Sequence, residues 1–385
     1  MSATILRSRH VTSYAHIGTG WPFTVRDAKP SDNAGLVALA QACSMSGDIE
    51  LRIDRAPDFF ALNRLEGERW RLAVAERDGQ VVGCICTSER DCYVDGERQR
   101  IGYIGDLKVH PNHRDSVIAD GLSHYAAEFM TALPESAKVL ITVLAGNRPM
   151  EKRLGGPRGL PRFSRAGTVR THSLSILWER RNPVGWAKIT PGSWNDIEEM
   201  AALWQDVACQ RQFAPAHNAD SLARWIRGAP DLDIADFRLA RAADGKLLGF
   251  IGLWDQRRFK QLTVVSYSRR MAIARRAFNA VAPLTGSERL PESGAPLNVV
   301  TATHVCVPRD RADVLRALII SGHNELRGSG CSLLNIGLDV NDPLGVSMKG
   351  LFAQPTDIHA YLADARGNAW KRQLGGTLHY EIALV

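Results

Sequence analysis

The sequence predicts a mixed α/β fold, a central sheet with flanking helices, built twice in tandem, and three internal correspondences predict it. The run Trp70 to Ile85 matches Phe237 to Ile251, at a shift of 167 before a shared Asp-Gly pair and 166 after it. Pro111 to Arg114 matches Pro308 to Arg311 at a shift of 197. Ile141 to Pro149 matches Ile336 to Pro343. Each half therefore presents the same elements in the same order.

The first half opens on Phe23 to Asp32, a strand followed by Ser31 or Asp32 as the N-cap of a helix over Leu36 to Cys43. The Trp70–Ile85 run reads as a β-hairpin whose turn, Asp78-Gly79, tolerates positive φ. A further strand ends at Val109-His110-Pro111, and a polar turn through Arg114 leads into an apolar helical run, Val117 to Met130. The strand at Ile141, a helix opened by Asn147, and a β-rich run over Thr168 to Leu177 close the half. The second half repeats this from Ala187, with Asn195 or Asp196 capping a helix over Ile197 to Cys209 and Asp244-Gly245 turning the hairpin. About thirty extra residues follow that hairpin and contain an Arg-rich amphipathic helix over Ser268 to Val281. A β-rich run from Thr377 to Val385 closes the chain. The boundaries expected are an N-terminal arm over 1–20, a first domain over 21–180 and a second over 181–385, joined by Arg181 to Gly185.

Composition narrows the function. At 385 residues the chain is long for one compact core, and its 45% hydrophobic and 23% charged content is that of a folded protein. The longest apolar runs, such as Val81 to Cys86, are strand-sized, so no membrane partner is expected. The net charge of +7 comes from dispersed pairs such as Arg269-Arg270 and Arg275-Arg276, without interleaved aromatics, so nucleic acid is not expected either. Seven scattered cysteines and dispersed histidines give neither a metal-ligand spacing nor a disulfide framework, and a reducing, cytoplasmic setting is expected. Walker loops, Gly-x-Ser-x-Gly elbows and His-Glu-x-x-His motifs do not occur.

The stretch Gly102 to Ala119 carries the most chemical information: strand, tight turn and helix start in succession, where backbone N–H groups converge on a phosphate. It resembles the pyrophosphate-binding segment of the GNAT superfamily, the acetyl-CoA-dependent N-acyltransferases. The family signature is Arg/Gln-x-x-Gly-x-Gly/Ala, and this chain reads Arg114-Asp115-Ser116-Val117-Ile118-Ala119, with Val where the first Gly belongs. The resemblance covers nearly the whole chain, twice.

It implies acetyl-CoA as co-substrate, no metal, and direct attack of an amine on the thioester. Leu107, Lys108 and Val109 would pair with the pantetheine arm like another strand. Backbone N–H groups from Arg114 through Asp115, Ser116, Val117 and Ile118 to Ala119 would face the pyrophosphate. Asn147 matches the recurrent Asn after the following strand. Asp106 is the candidate general base, with ordering of the strand end as its alternative; Tyr103 is a second candidate proton donor. The family's usual acidic Tyr after Asn147 is missing. For the acceptor, Asp48, Glu50, Asp54 and Asp58 would draw a cationic amine near Arg55, with Phe59 and Phe60 walling the pocket or packing in the core.

In the second half, Arg311 is kept, but Val314 and Arg316 stand where small residues belong, and a shift of 197 puts Thr303 opposite Asp106. That half is expected to be degenerate and structural. The function expected is N-acetyl transfer to an amine of a small molecule or peptide. The alternatives are a longer acyl-CoA or acyl carrier protein as donor, or a non-catalytic binding or assembly module; a homodimer remains open.

Overall fold

The computed structural model describes residues 22–114, 117–134, 137–155, 162–182, 185, 187–371 and 374–384. The expected arm over 1–20, Asp115 and Ser116 of the phosphate turn, and Pro183-Val184 of the linker lie outside the described residues.

Both halves contribute to one twelve-stranded mixed sheet. Its order from one edge is Thr24–Asp27, Arg69–Arg77, Gln80–Val94, Glu97–Val109, Lys138–Leu144, Ala353–Asp364, Ser164–Ser175, Leu333–Asp339, Val299–Cys306, Leu247–Asp255, Phe237–Arg241 and Lys188–Pro191. The two arms mirror each other, except that their last strands are exchanged. The first half's Ser164–Ser175 pairs with Leu333–Asp339 of the second, and the second half's Ala353–Asp364 pairs with Lys138–Leu144 of the first. The exchanged strands also pair with each other, antiparallel, with Arg170 opposite Asp357 and ion-paired to it at 2.7 Å.

The hairpins form where expected. Asp78 and Gly79 both take positive φ, which suits the tight turn. Helices run over Asn33–Ala42 and Ile197–Ala208, each after a 3-10 turn, with Asp32 and Asp196 as N-caps. The Arg-rich segment is a surface helix, Arg269–Thr285, whose only fully buried side chain is Ala282.

One expectation is corrected. The second half's closing strand is Ala353–Asp364, not Thr377–Val385, whose only strand is the two-residue pair Thr377–Leu378. Gln354, Pro355, Thr356 and Asp357 at its start hide it from apolar patterning. The segment before the first hairpin, which carries the acidic residues expected to draw the amine, forms a strand, Ile49–Asp54. Its Ile49, Leu51 and Ile53 alternate, and its partner is Gln261–Tyr267 of the second half.

The carboxyl-terminal segment, 374–384, crosses one face of the central sheet. Tyr380 meets Tyr103, Leu378 sits on Gly167, and Ile382 sits on Gly337. A Cβ at Gly337 would lie 2.6 Å from Ile382 Cγ2. Gly337→Val is therefore expected to destabilise the protein by about 1–3 kcal/mol through overpacking. Urea unfolding reads the loss and hydrogen exchange reads loosening over 374–384; an unchanged exchange pattern would show the segment is not held there.

Candidate active site

The first half's parallel pair, Glu97–Val109 beside Lys138–Leu144, is joined at Gly102, Tyr103 and Ile104 and then parts. Leu107, Lys108 and Val109 lie beyond the parting, so their backbone faces an opening on that side. The strands part because Glu97–Val109 bulges against its other neighbour: Cys84 pairs with Lys108 but Cys86 with Gly105. The bulge residue is Asp106, at φ +52°. Asp tolerates this region better than most side chains.

At the far end of the strand, Pro111–His113 makes a 3-10 turn, and Ile118–Thr131 is the helix beyond it. Val117 is that helix's N-cap and is 42% exposed, so its side chain points outward. Ala119 is the second residue of that helix, in the first turn, where helix N–H groups have no intrahelical partner. Asp120 in that turn is ion-paired with Arg153 at 2.5 Å, which offsets its charge near an incoming phosphate. Asn147 caps the Arg148–Leu154 helix by accepting from Met150 N at 3.3 Å.

Asp106 is the centre of a packed charge cluster. Lys108 Nζ donates to its Oδ1 at 2.5 Å, Asn63 Nδ2 to its Oδ2 at 2.9 Å, and Arg55 Nη1 to its Oδ2 at 3.3 Å. Burial works to raise its pKa, yet Lys108 and Arg55 together hold the carboxyl well below the usual carboxylate range. An ion-paired carboxylate of that kind is a poor proton acceptor. Arg55 is buried, donates to Phe59 O at 2.5 Å, and stacks 4.6 Å over the Phe59 ring.

Asp48, Asp58 and their neighbours do not converge on a pocket. Asp48 is exposed; Asp58 caps Phe60 N and pairs with the exposed Arg64. Glu50 accepts from Ser44 and Ser266, and Asp54 from Gln41. Phe59 and Phe60 are core residues, in edge-to-face contact. Of the acceptor set, Arg55 alone reaches Asp106.

Sequence reasoning missed four groups beside this cluster. Glu66, just after the Asn63–Leu65 turn, is 6% exposed with Oε2 unpartnered. Burial lifts its carboxyl to about 8; Arg90 opposes the rise and Asp106 adds to it. Arg90 lies 5.1 Å over the Tyr103 ring. Lys260 comes from the second half, because Gln261 pairs with Asp54 and so sets Lys260 beside Arg55. Burial, with Arg55 adding, draws its ammonium down to about 7, and its Nζ donates to Ala383 O at 3.0 Å. Tyr380 shares a 2.6 Å hydrogen bond with Tyr103, whose hydroxyl also contacts Thr142 Oγ1 at 2.9 Å. Burial, reinforced by Tyr380, keeps the Tyr103 phenol protonated far above its ordinary value. A buried Glu, Lys or Arg without a nearby partner in sequence carries no motif, so only the inter-half ladder reveals them.

The second half repeats the parting: Val299–Cys306 joins Leu333–Asp339 at three residues and then bulges. Its bulge residue at positive φ is His304, which replaces Thr303 as the counterpart of Asp106. The sequence shift missed this by one residue because the turn after the strand differs in length. Here the opening is filled. Arg211 donates to Val305 O at 2.6 Å and Val307 O at 3.1 Å, and Glu381 accepts from His304 N at 2.9 Å.

Parted parallel strands, a bulge beside them and a helix N-terminus beyond are the arrangement the GNAT resemblance implies for the first half. The acetyltransferase (GNAT) domain family matches residues 24–150, within the first half of the chain. No curated protein sequence matches it. The fold is similar to that of Saccharomyces cerevisiae N-myristoyltransferase with bound myristoyl-CoA, at 11% identity and a TM-score of 0.60, over 96% of this chain and 87% of that one. It is also similar to a GCN5-related N-acetyltransferase from Anabaena variabilis, at 14% identity and a TM-score of 0.51, over 89% and 73% of the two chains.

Proposed function

We propose that the protein transfers an acetyl group from acetyl-CoA to an amine, with the donor in the opening of the first half. The observation that carries this is the pair of strand partings in one chain: two charge-bearing side chains occupy the backbone of the second, and a single thiol contact, Cys43 Sγ to Val109 O at 3.5 Å, touches that of the first. In the first half the backbone of Leu107 to Val109 has no strand partner on the parted side and only the weak Cys43 thiol on Val109 O, which a pantetheine arm would displace, and the Ile118–Thr131 helix offers its N-terminus to the pyrophosphate. In the second, Arg211 occupies the carbonyls a pantetheine arm would need. The Val at 117 is no obstacle on this reading, because backbone N–H groups bind the phosphate and the side chain faces out.

Chemically, the amine nitrogen forms a bond to the acyl carbon, the carbon–sulfur bond breaks, and coenzyme A leaves as a thiol. The incoming ammonium must first lose a proton. Glu66 suits that task, since a carboxyl near 8 accepts protons where Asp106 does not. The thiolate takes the remaining amine proton. We assign its relay to Tyr103, which burial keeps protonated and which is bonded to Thr142 beside the parting. Asp106 fixes Lys108 and Arg55 and so holds the bulge.

The Tyr103–Thr142 hydrogen bond also bears on the donor. It bridges the two strands where they part, and a long acyl chain would need a channel past that point. This favours acetyl over myristoyl or another long chain. Calorimetry with acetyl-CoA, myristoyl-CoA and acyl carrier protein tests the reading. Acetyl-CoA is expected to bind with one site per chain. Two sites would assign chemistry to the second half, and binding of none would leave a non-catalytic module.

A further inference from the structure

The Gln80–Val94 strand presents Cys86, Ser88 and Arg90 on one face, by the two-residue period of a strand. Opposite them in register lie Gly105, Tyr103 and Ile101 of the strand that carries the bulge. This face holds several polar atoms sealed from solvent and without a partner: Ser88 Oγ, Arg90 Nε and Glu66 Oε2. Buried polar groups are nearly always satisfied, so a cluster of orphans on one face marks a place where a polar molecule belongs.

Arg90 is the most informative of them. Among the described residues no carboxylate lies within ion-pair distance of its guanidinium, and its contacts are the Tyr103 ring and the Cys92 thiol. The neighbouring charges are also unbalanced. Arg55 and Lys108 are ion-paired to Asp106, whereas Glu66 and Glu381 lie near enough to Arg90 to feel its charge and neither forms an ion pair with it. The Tyr103 ring leans over Gly105, beside the bulge, and Arg90 lies 5.1 Å over that ring.

We propose that the acceptor is an amine that also carries a carboxylate, an amino-acid-class substrate, and that Arg90 holds that carboxylate. A planar guanidinium with a hydroxyl beside it suits the two oxygens of a carboxylate, and its stacking on Tyr103 fixes its plane. Glu66, on the same face, takes the amine end. The inference rests on the acyl-transfer reading above for its chemistry but not for its binding.

The experiment pairs each of a panel of amino acids with its decarboxylated amine, using the full chain and acetyl-CoA. At least one acid is expected to be acetylated with a kcat/KM ten-fold or more above its amine. Arg90→Gln should erase that preference by raising KM for the acid, with kcat and coenzyme A binding held; Arg90→Lys should restore part of it. Equal use of acids and amines, or an equal loss of both in Arg90→Gln, overturns the proposal, as does coenzyme A binding with no acid acetylated. Calorimetry of the acids on the protein alone separates the two readings. A chain that binds an acid through Arg90 but no coenzyme A keeps this inference and loses the donor assignment.

Discussion

Glu66→Gln is expected to lower acetyl transfer by about 100-fold and to leave the protein more stable than the wild type at neutral and alkaline pH. The rate loss is that of a positioned proton acceptor. The stability gain follows from linkage. The Glu66 carboxyl titrates near 8 in the folded chain against an ordinary value of 4.5. Below 4.5 both states hold the proton, and the side chain adds no pH dependence. Between 4.5 and 8 the unfolded chain loses it while the folded chain keeps it, so stability falls as pH rises. Above 8 the cost of the buried charge is complete, on the order of 5 kcal/mol. Glutamine escapes that cost at the same size. Thermal unfolding of both proteins at pH 5, 7 and 9 should show a gap that opens with pH. A constant gap would mean that Glu66 is ionised throughout and is no base. The wild-type rate should climb through pH 8 with the same group.

The second large effect is expected at Asp106, with the opposite sign. Asp106→Asn leaves Lys108 and the buried Arg55 without their shared counter-charge, and breaking a buried pair from one side costs about 3–5 kcal/mol. The carboxyl is held below its ordinary value of 3.8, so its contribution is in place above that pH and is lost only in stronger acid. Urea unfolding at pH 7 reads the loss. The alkaline limb of the rate should stay where it is, because another group sets it. An alkaline limb that moved in Asp106→Asn while stability stayed constant would return the proton-accepting role to Asp106.

Much of the molecule was legible in the sequence. The tandem plan, both hairpins and the turn at Pro111 follow from apolar runs punctuated by Asp-Gly, and such local patterns survive into the fold. The bulge residue was singled out as Asp106, but its partners were not. Arg55 is 51 residues away, and Lys260 belongs to the other half. Pairing of Ile49–Asp54 with Gln261–Tyr267 brings them together, and no periodicity within either segment names its partner. The acidic run from Asp48 to Asp58 misled for a related reason. Charges close in sequence on a strand and a turn point to different neighbours, here serines, Gln41 and Arg64.

The exchange of closing strands bears on how the chain is made. Lys138–Leu144 needs Ala353–Asp364 as its neighbour, and Ser164–Ser175 lies between two strands of the second half. On a ribosome adding roughly 5–20 residues per second, the last of these partners emerges about 10–45 s after Leu144. Through that interval the first half either holds an open sheet edge or covers it with a stand-in, which it must then release. The half to which we assign the donor therefore completes its sheet only after most of the other half has been synthesised.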